Sequence, residues 1–343
     1  MELMVSVIVR LNGKPCPEPS ARWRPRSQLI RSLLPKCLAV LLIGTAMAAA
    51  TQAQIPGPQA PADEEPITAV PQPPVADPLK LALGERLFAD RRLSRDGSRS
   101  CSSCHDIRTN GAGSSQLDEA FDGSRLPFNT TTVFNAALSF RLNWEGKFRS
   151  LETQAEGSLN NPAIMGISVD EVVGRLSADA DAARQFRAAY GHGPDRASLK
   201  DAIATYERSL LTPGSRFDRW LGGNAAALSA EEQNGYQLFK SIGCASCHQG
   251  VNVGGNLFQR HGIFHPLASP NPEILRVPSL RNVGKTPPYF HDGSTPTLDE
   301  AVRKMGAAQL DRVLIDEQVE AIVAFLTTLT GIYRGASVTR ASR

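Results

Sequence analysis

Hydrophobic positions recur at helical spacing in the second half of the chain, and capping residues stand where two of these segments begin. Ser229 and Glu232 form a capping box at the start of a helix that leads to Cys244. Thr297 and Glu300 form a second box, which predicts a helix that continues through Arg303.

Two further helices follow from the same pattern. Residues 196–211 are expected to form one of them. Asp316 is placed to cap a last helix that ends at Gly331 and carries apolar residues at Val319, Ile322, Val323 and Leu326. Because the alternation typical of strands is weak throughout, the pattern predicts an all-α fold.

The chain also contains an internal repeat. Four pairs of short segments match in order: residues 83–88 with 234–239, 132–135 with 279–282, 144–146 with 291–293, and 151–152 with 298–299. Two copies of one unit, each forming a domain, are the simplest explanation.

Each copy carries a Cys-x-x-Cys-His motif, at residues 101–105 and 244–248, with first cysteines 143 residues apart (244 minus 101). In such a motif two thiols bond the porphyrin and the histidine ligates the iron. A zinc or redox Cys-x-x-Cys site does not explain the histidine that follows in both copies. The sequence therefore predicts two covalently bound haem c groups, haem 1 on Cys101, Cys104 and His105 and haem 2 on Cys244, Cys247 and His248.

The first 53 residues have the layout of a secretory signal peptide, with a retained membrane anchor as the alternative. A start with seven Lys/Arg and two acids precedes a thirteen-residue apolar run at 38–50. Residues 54–78 contain eight prolines, which predicts an extended linker without a core of its own. Haem domains are then expected at 79–215 and 216–335, with a tail at 336–343. An exported chain of this kind is expected in the periplasm.

Charge excludes one class of partner. Without the first 53 residues, the chain has 30 basic and 32 acidic residues, a net charge of −2. A nucleic-acid-binding surface is therefore not expected.

The second axial ligands of the two irons are predicted to differ. Met305 is the candidate ligand of haem 2, placed in a turn after the helix that begins near residue 298, although an ordinary core methionine is the alternative. The repeat puts Ser158 at the matching position of haem 1, and serine is a poor iron ligand. Haem 1 is thus expected to be open, unless Met165 or His192 reaches it.

Motifs spread over residues 79–332 resemble the bacterial di-haem cytochrome c peroxidase family, which includes the methylamine-utilisation di-haem enzymes. Besides the haem motifs, the similar segments are residues 132–136, 144–146, 151–155, 215–218, 277–282, 288–293, 305–306 and 309–310.

The resemblance implies a peroxide site at haem 1 and electron entry at haem 2, with Met305 as the distal ligand of haem 2. It also implies that Trp144 lies between the haems and that Gln154 is a polar residue of the distal pocket. A calcium ion at the domain interface is implied at Asn129, Thr286 and Pro288, the last two through carbonyl oxygens.

Two positions depart from the family pattern. Phe121 stands where many members have a switchable distal histidine, and Ile164 stands where the family has its acid/base glutamate. An isoleucine cannot move a proton between the oxygens of peroxide, and loss of such a group typically costs about 10²–10⁴ in rate. Glu156 and Glu145 are nearby carboxylates and are the candidates to replace it.

The leading hypothesis is a periplasmic di-haem oxidoreductase that reduces hydrogen peroxide with electrons from a small donor, a cytochrome c or a cupredoxin. One alternative is a di-haem oxygenase or protein-oxidising enzyme, favoured by an apolar pocket at Phe121 and Ile164. The other is a non-enzymatic electron carrier. Family members are often dimers, so a homodimer is possible. His291 is interpreted as a structural or haem-propionate residue, or else as part of an electron path, while His261 and His265 are interpreted as surface residues.

Overall fold

The computed structural model describes residues 65–341. The predicted signal peptide and the first part of the predicted linker lie outside these residues. Within them, no helix has both the length and the apolar character needed to cross a membrane.

The N-terminal haem domain is built from five α-helices, in which α1 packs across α5. They are α1 (Pro78–Phe88), α2 (Leu151–Asn160), α3 (Val169–Ala178), α4 (Ala180–Tyr190) and α5 (Arg196–Ser209). The long segment between α1 and α2 contains the first haem motif and has little regular structure. A bound haem is expected to supply much of the core there.

The C-terminal haem domain repeats this arrangement with α7 packed across α9. Its helices are α6 (Arg216–Leu221), α7 (Ala230–Ile242), α8 (Leu298–Leu310) and α9 (Asp316–Thr327). Two short antiparallel ribbons complete the described chain, β1 (Phe258–Arg260) with β2 (Ile274–Arg276), and β3 (Ile332–Tyr333) with β4 (Ala336–Ser337). The fold is therefore mostly helical, as the pattern predicted.

Capping explains where several helices begin. The Ser229–Glu232 box opens α7, and the Thr297 side chain accepts from the backbone N–H of Glu300 at the start of α8. The helix predicted at 196–211 is α5, which the Asp195 side chain caps.

Two details of the sequence prediction are wrong. Asp316 does not cap α9: it is the first helical residue, Ile315 stands at the cap, and the helix ends at Thr327 rather than Gly331. Met305 lies inside α8 rather than in a turn, because the helix continues to Leu310 without a break at Gly306.

The described end of the predicted linker is packed rather than free. Ile67 is 0% exposed and joins the core of the C-terminal domain beside Phe217 and Tyr236. The Arg281 guanidinium donates to the Thr68 carbonyl oxygen at 2.7 Å. The apolar Ile67, set among the prolines, gives this segment a core contact that the prediction missed.

The predicted tail is likewise part of the fold. Val338 is 3% exposed and packs against Phe88, Phe134 and Tyr206 of the N-terminal domain. The ring of Tyr333, the last residue of β3, lies 4.9 Å from that of Phe134. Each domain is thus completed by a segment from the opposite end of the described chain.

Candidate haem sites and the cavity between the domains

The haem 1 motif begins in a single 3-10 turn, Cys101–Ser103, which brings both cysteines and His105 together. Nδ1 of His105 lies 3.1 Å from the carbonyl oxygen of Gly111. A hydrogen bond there leaves Nε2 as the unprotonated nitrogen, the one available to iron. The ring of Phe88, from α1, lies 6.5 Å from the imidazole.

The haem 2 motif repeats this geometry. Cys244–Ser246 form the turn, and Nδ1 of His248 lies 3.2 Å from the carbonyl oxygen of Val253. Burial lowers the pKa of His248 to about 4, so that its imidazole is neutral at neutral pH. A neutral imidazole with a free Nε2 is the form that ligates iron.

The four cysteines of the described chain form no disulfide. Burial raises the pKa of Cys101 to about 12 and that of Cys244 to about 11. A redox Cys-x-x-Cys pair needs a thiol with a lowered pKa, and these thiols have the opposite shift. The residues of both motifs therefore fit haem attachment better than thiol redox chemistry.

A large cavity opens beside the haem 2 motif and extends to the N-terminal domain. Cys244, Cys247, His248 and Met305 all line it. Its apolar wall is formed by side chains of α7, α8 and α9, among them Phe239, Leu298, Val302, Ile322 and Leu326. The structure thus places Met305 and His248 on one cavity of mostly apolar character.

The two alternative ligands of haem 1 lie in other surroundings. Met165 is 4% exposed and belongs to the helical core with Leu159 and Ile167. His192 is exposed at the end of α4, with Nδ1 2.8 Å from the Gly193 carbonyl oxygen and 3.7 Å from an Asp195 carboxylate oxygen. Neither environment is that of an iron ligand.

Trp144 connects the two domains at the cavity. Its Nε1–H donates to the carbonyl oxygen of Asn129 at 2.8 Å, and its ring lies 6.2 Å from that of His291 in a T-shaped arrangement. Its own carbonyl oxygen accepts from the backbone N–H of Arg276 at 2.9 Å. His261, interpreted as a surface residue, instead lies beside His291 with ring centroids 4.9 Å apart, and both line the cavity.

The three residues implied for calcium line the same cavity. Asn129 is buried, and its side-chain nitrogen donates to the carbonyl oxygens of Ser115 and Gln116. In the described chain, its Oδ1 and the carbonyl oxygens of Thr286 and Pro288 accept no hydrogen bond. Oxygen atoms without partners are the ligands that a hard cation prefers.

The residues predicted for the distal side of haem 1 separate into two groups. Gln154 and Ser158 lie one turn apart on α2, and the Gln154 amide donates to the Ser158 hydroxyl at 2.9 Å. Ile164 packs against the helical core of the N-terminal domain. The ring of Phe121 lies between two guanidinium groups, 4.0 Å from Arg95 and 3.9 Å from Arg99.

The two carboxylates considered as substitutes for the missing acid are held in ion pairs. Glu156 bonds to Lys200 at 2.6 Å and Arg196 at 2.8 Å, and the Lys200 hydrogen bond lowers the pKa of Glu156. Glu145 pairs with Lys147 at 2.6 Å. A general acid must hold a proton near neutral pH, so the lowered pKa speaks against Glu156. The Glu145 carboxylate is already engaged by Lys147.

Glu207 on α5 is a buried carboxyl group that sequence analysis overlooked. It is 7% exposed, and its Oε2 has no hydrogen-bond partner in the described chain. Burial raises its pKa to about 8. A Cβ atom on Gly84 would meet Ala202 of α5, and a Cβ atom on Gly235 would meet Ala321 of α9. These equivalent contacts in the two domains align Ala202 with Ala321, and therefore α5 with α9.

This alignment places Glu207 where the second domain has Leu326, which lines the haem 2 cavity. A charged residue at an apolar helix position was therefore the signal that sequence analysis could have used.

Two family models match the chain in tandem. The model described as di-haem cytochrome c peroxidase matches residues 78–226, and the model described as cytochrome c matches residues 232–330.

Several characterised proteins are similar over most of this length. Cytochrome c551 peroxidase of Nitrosomonas europaea is 39% identical over 267 residues, covering 73% of this chain and 79% of that protein. Cytochrome c peroxidase Ccp of Escherichia coli is 38% identical over 287 residues, 78% of this chain. The chain spans only 62% of the length of the Escherichia coli protein. Methylamine utilization protein MauG of Methylorubrum extorquens is 34% identical, with coverage of 66% and 69%.

Two solved structures are similar to this chain in fold. A MauG-like protein associated with microbial copper homeostasis superimposes with a TM-score of 0.67 and 28% identity, over 77% of this chain and 94% of that one. The diheme peroxidase BthA from Burkholderia thailandensis gives a TM-score of 0.63 at 19% identity, over 78% of this chain and 91% of its own, which supports the fold.

Proposed function

The chain belongs to the di-haem cytochrome c peroxidase family, and from this membership we propose that it reduces hydrogen peroxide to water in the periplasm. The resemblance noted in the sequence is thereby confirmed, as is the two-domain cytochrome c fold. Each turnover takes two electrons and two protons to convert one peroxide into two water molecules. A small cytochrome c or cupredoxin is the proposed donor of one electron at a time.

The proposed ligand sets follow the geometry of the two motifs. Cys101, Cys104 and His105 would hold haem 1, and Cys244, Cys247, His248 and Met305 would hold haem 2. When bound, haem supplies one-electron transfer and, where a coordination position is open, an iron atom that binds peroxide. A thioether ligand raises the reduction potential, which suits a haem that accepts electrons.

The proposal rests on a difference between the two sites in the residue available as a further iron ligand. Met305 shares a cavity with His248, whereas the matching position at haem 1 is Ser158, hydrogen-bonded to Gln154. Ser158 is a poor iron ligand, while Met165 is buried in the core and His192 is exposed. A closed electron-entry haem and an open substrate haem are the arrangement that a peroxidase needs.

Residues of the chain would serve the reaction in different ways. The Gln154 amide, with its orientation held by Ser158, would position peroxide over haem 1. Trp144, hydrogen-bonded to the first domain and in contact with His291 of the second, would support electron transfer between the haems. We further propose a calcium ion at Asn129, Thr286 and Pro288, where unpartnered oxygen atoms line the interdomain cavity.

Oxidation of an organic substrate or a partner protein is a second candidate function. The observation that favours it is Ile164, which contributes no acid for cleavage of the peroxide bond and packs against an apolar core. Identity of 34% to the methylamine utilization protein MauG is compatible with it. A two-haem electron carrier remains the non-enzymatic alternative, and a homodimer is the proposed assembly.

Spectroscopy and turnover on the holoprotein separate these functions. Optical and EPR spectra of oxidised and reduced protein are recorded, and hydrogen peroxide is then added with a reduced donor cytochrome. A high-spin haem 1 and donor oxidation well above a haem-free control support the peroxidase. Two low-spin haems that are inert to peroxide and carbon monoxide would establish the carrier. A stable oxygen adduct without peroxide turnover would establish the oxygenase.

A further inference from the structure

Arg276 at the end of β2 is a buried guanidinium without a counterion. Only 6% of the residue is exposed, and in the described chain no carboxylate lies within ion-pair distance of it. Its Nε donates to the Asn143 carbonyl oxygen at 3.0 Å, and one terminal nitrogen reaches the Val277 carbonyl oxygen at 3.5 Å. The neighbouring Arg281, equally buried, is paired with Asp218 at 2.8 Å.

Unlike Arg281, Arg276 has no carboxylate partner within the described chain. Burying an unpaired charge costs several kcal/mol, and proteins normally offset this cost with an opposite charge. Burial lowers the pKa of Arg276 to about 10, so the side chain still carries its positive charge at neutral pH. Its free donors therefore require an anion that the protein itself does not provide.

The surroundings indicate where this anion comes from. Arg276 lines the cavity that also holds Cys247 and His248 of the haem 2 motif. His291 lines the same cavity, and its Nε2 is a buried ring nitrogen without a partner in the described chain. The only groups expected in this cavity that bear permanent negative charge are carboxylates of the haem.

We propose that Arg276, with His291 Nε2 as a second donor, binds the propionate carboxylates of haem 2. The inference rests on the assignment of haem 2 to residues 244–248 and goes beyond the proposed peroxidase activity. A guanidinium suits this role because its planar fork binds a carboxylate through two parallel hydrogen bonds.

The same arginine would link haem 2 to the interdomain tryptophan. Its side chain donates to the carbonyl oxygen of Asn143, and its backbone N–H donates to the carbonyl oxygen of Trp144. A propionate bound by Arg276 is thus connected by hydrogen bonds to the peptide that carries Trp144. Arg276 is therefore a positioning residue for electron transfer as well as a haem anchor.

The experiment measures the midpoint potentials of both haems by spectroelectrochemistry, in the holoprotein and in Arg276→Met. Arg260→Met is the matched control, because Arg260 loses the same charge from the paired strand β1 but is exposed and bonded to Glu273 at 2.7 Å. We expect Arg276→Met to shift haem 2 to a lower potential by clearly more than the control does. Loss of a nearby cation disfavours the added electron, and an unpaired propionate acts in the same direction.

The resonance Raman bending mode of the haem 2 propionates provides a second measurement. Arg276→Lys retains the charge but not the fork, and it decides the question if the methionine variant does not fold or bind haem. We expect its propionate mode to shift while the EPR signal of the haem 2 axial ligands is unchanged. An unchanged propionate mode in the lysine variant overturns the proposal, as does a methionine-variant potential equal to the control.

A shift confined to haem 1 would also overturn it, since the carboxylate would then belong to the other haem. None of these measurements uses peroxide. If the potential of haem 2 shifts as expected but the holoprotein does not reduce peroxide, the propionate site is supported and only the proposed activity is wrong.

Discussion

Gly235 of α7 lies directly against the backbone of Ala321 in α9, so that a Cβ atom on Gly235 would come within 1.8 Å of the Ala321 carbonyl oxygen. Gly84 of α1 has the same relationship to Ala202 of α5, at 2.0 Å. Atoms of the backbone cannot move aside as a flexible side chain can. The crossings of α1 with α5 and of α7 with α9 therefore each require glycine at one position.

Gly235→Ala is expected to lower the free energy of unfolding by about 1–3 kcal/mol or more, because the two helices must separate to admit a methyl group. Chemical denaturation followed by circular dichroism measures the change. The control is Gly174→Ala in α3, where a Cβ atom meets nothing within 4 Å. That substitution should leave stability unchanged or raise it by about 0.5–1 kcal/mol, as expected for alanine in place of glycine within a helix. Equal effects at both positions would contradict the argument.

Replacement of Met305 should affect haem 2 alone. Met305→His is expected to lower its reduction potential, since a thioether favours the reduced iron more than an imidazole does. Met305→Ala should leave an open position and convert haem 2 to a high-spin state. Potentiometry and EPR follow both changes. Met165→Leu is the control: Met165 lies in the apolar core, so haem spectra should stay constant. A low-spin haem 2 of unaltered potential in Met305→Ala would show that another residue is the ligand.

A carboxylate restored at residue 164 should raise peroxidase activity. Ile164→Glu returns a proton-transferring group to the place where the family has one, and the gain can reach about 10²–10⁴ in kcat. Steady-state oxidation of a reduced donor cytochrome by peroxide measures it. Ile164→Gln has nearly the same shape but cannot transfer a proton, so it should show no such gain. If the two variants behave alike, the missing acid is not what limits the enzyme.

Glu207 should make stability fall as the pH rises. Its pKa is raised from 4.5 to about 8 because it is buried. The folded state therefore retains a proton that the unfolded chain loses above about pH 4.5, and stability declines from there to about pH 8. Glu207→Gln should abolish this decline, which amounts to on the order of 5 kcal/mol.

Denaturation curves between pH 5 and pH 8 test this prediction for Glu207. Glu320→Gln, at an exposed position of α9, is the control and should follow the wild-type curve. A Glu207→Gln variant that retains the full pH dependence would show that another group is responsible.

Breaking the buried pair of Arg281 and Asp218 should be severe. These side chains are 1% and 5% exposed, and Asp218 also accepts from the backbone N–H of Val70. Asp218→Ala leaves an uncompensated cation in the core, for which about 3–5 kcal/mol of lost stability is typical. Thermal melting measures the loss. Asp316→Ala removes an exposed partner of Arg303 and should cost less than about 1 kcal/mol.

Local signals in the sequence were sufficient for the helices and the haem motifs, because caps and attachment residues act over a few positions. Ser229 and Thr297 open the helices that they were expected to open. Met305 was placed in a turn because Gly306 follows it, yet packing of α8 against α9 keeps the helix intact. Ile67 and Val338 were assigned to a linker and a tail, since short segments show no period of their own.

Contacts across the fold were beyond what the sequence could indicate. Arg276 stands in a strand of three residues, and nothing nearby in the chain shows that its guanidinium is buried and unpaired. Glu207 is buried because α5 packs against α1 and α2, and its charge at an apolar position becomes a signal only once α5 is aligned with α9. Such features depend on residues that are remote in the sequence.

Each end of the described chain packs into the core of the opposite domain, and this has a consequence for how the domains fold. Val338 follows Cys101 by 237 residues (338 minus 101), so residues 79–215 cannot complete the core of the first haem domain by themselves. Cutting the chain between α5 and α6 would not release two intact halves, because each fragment would lack a segment that fills part of its own core.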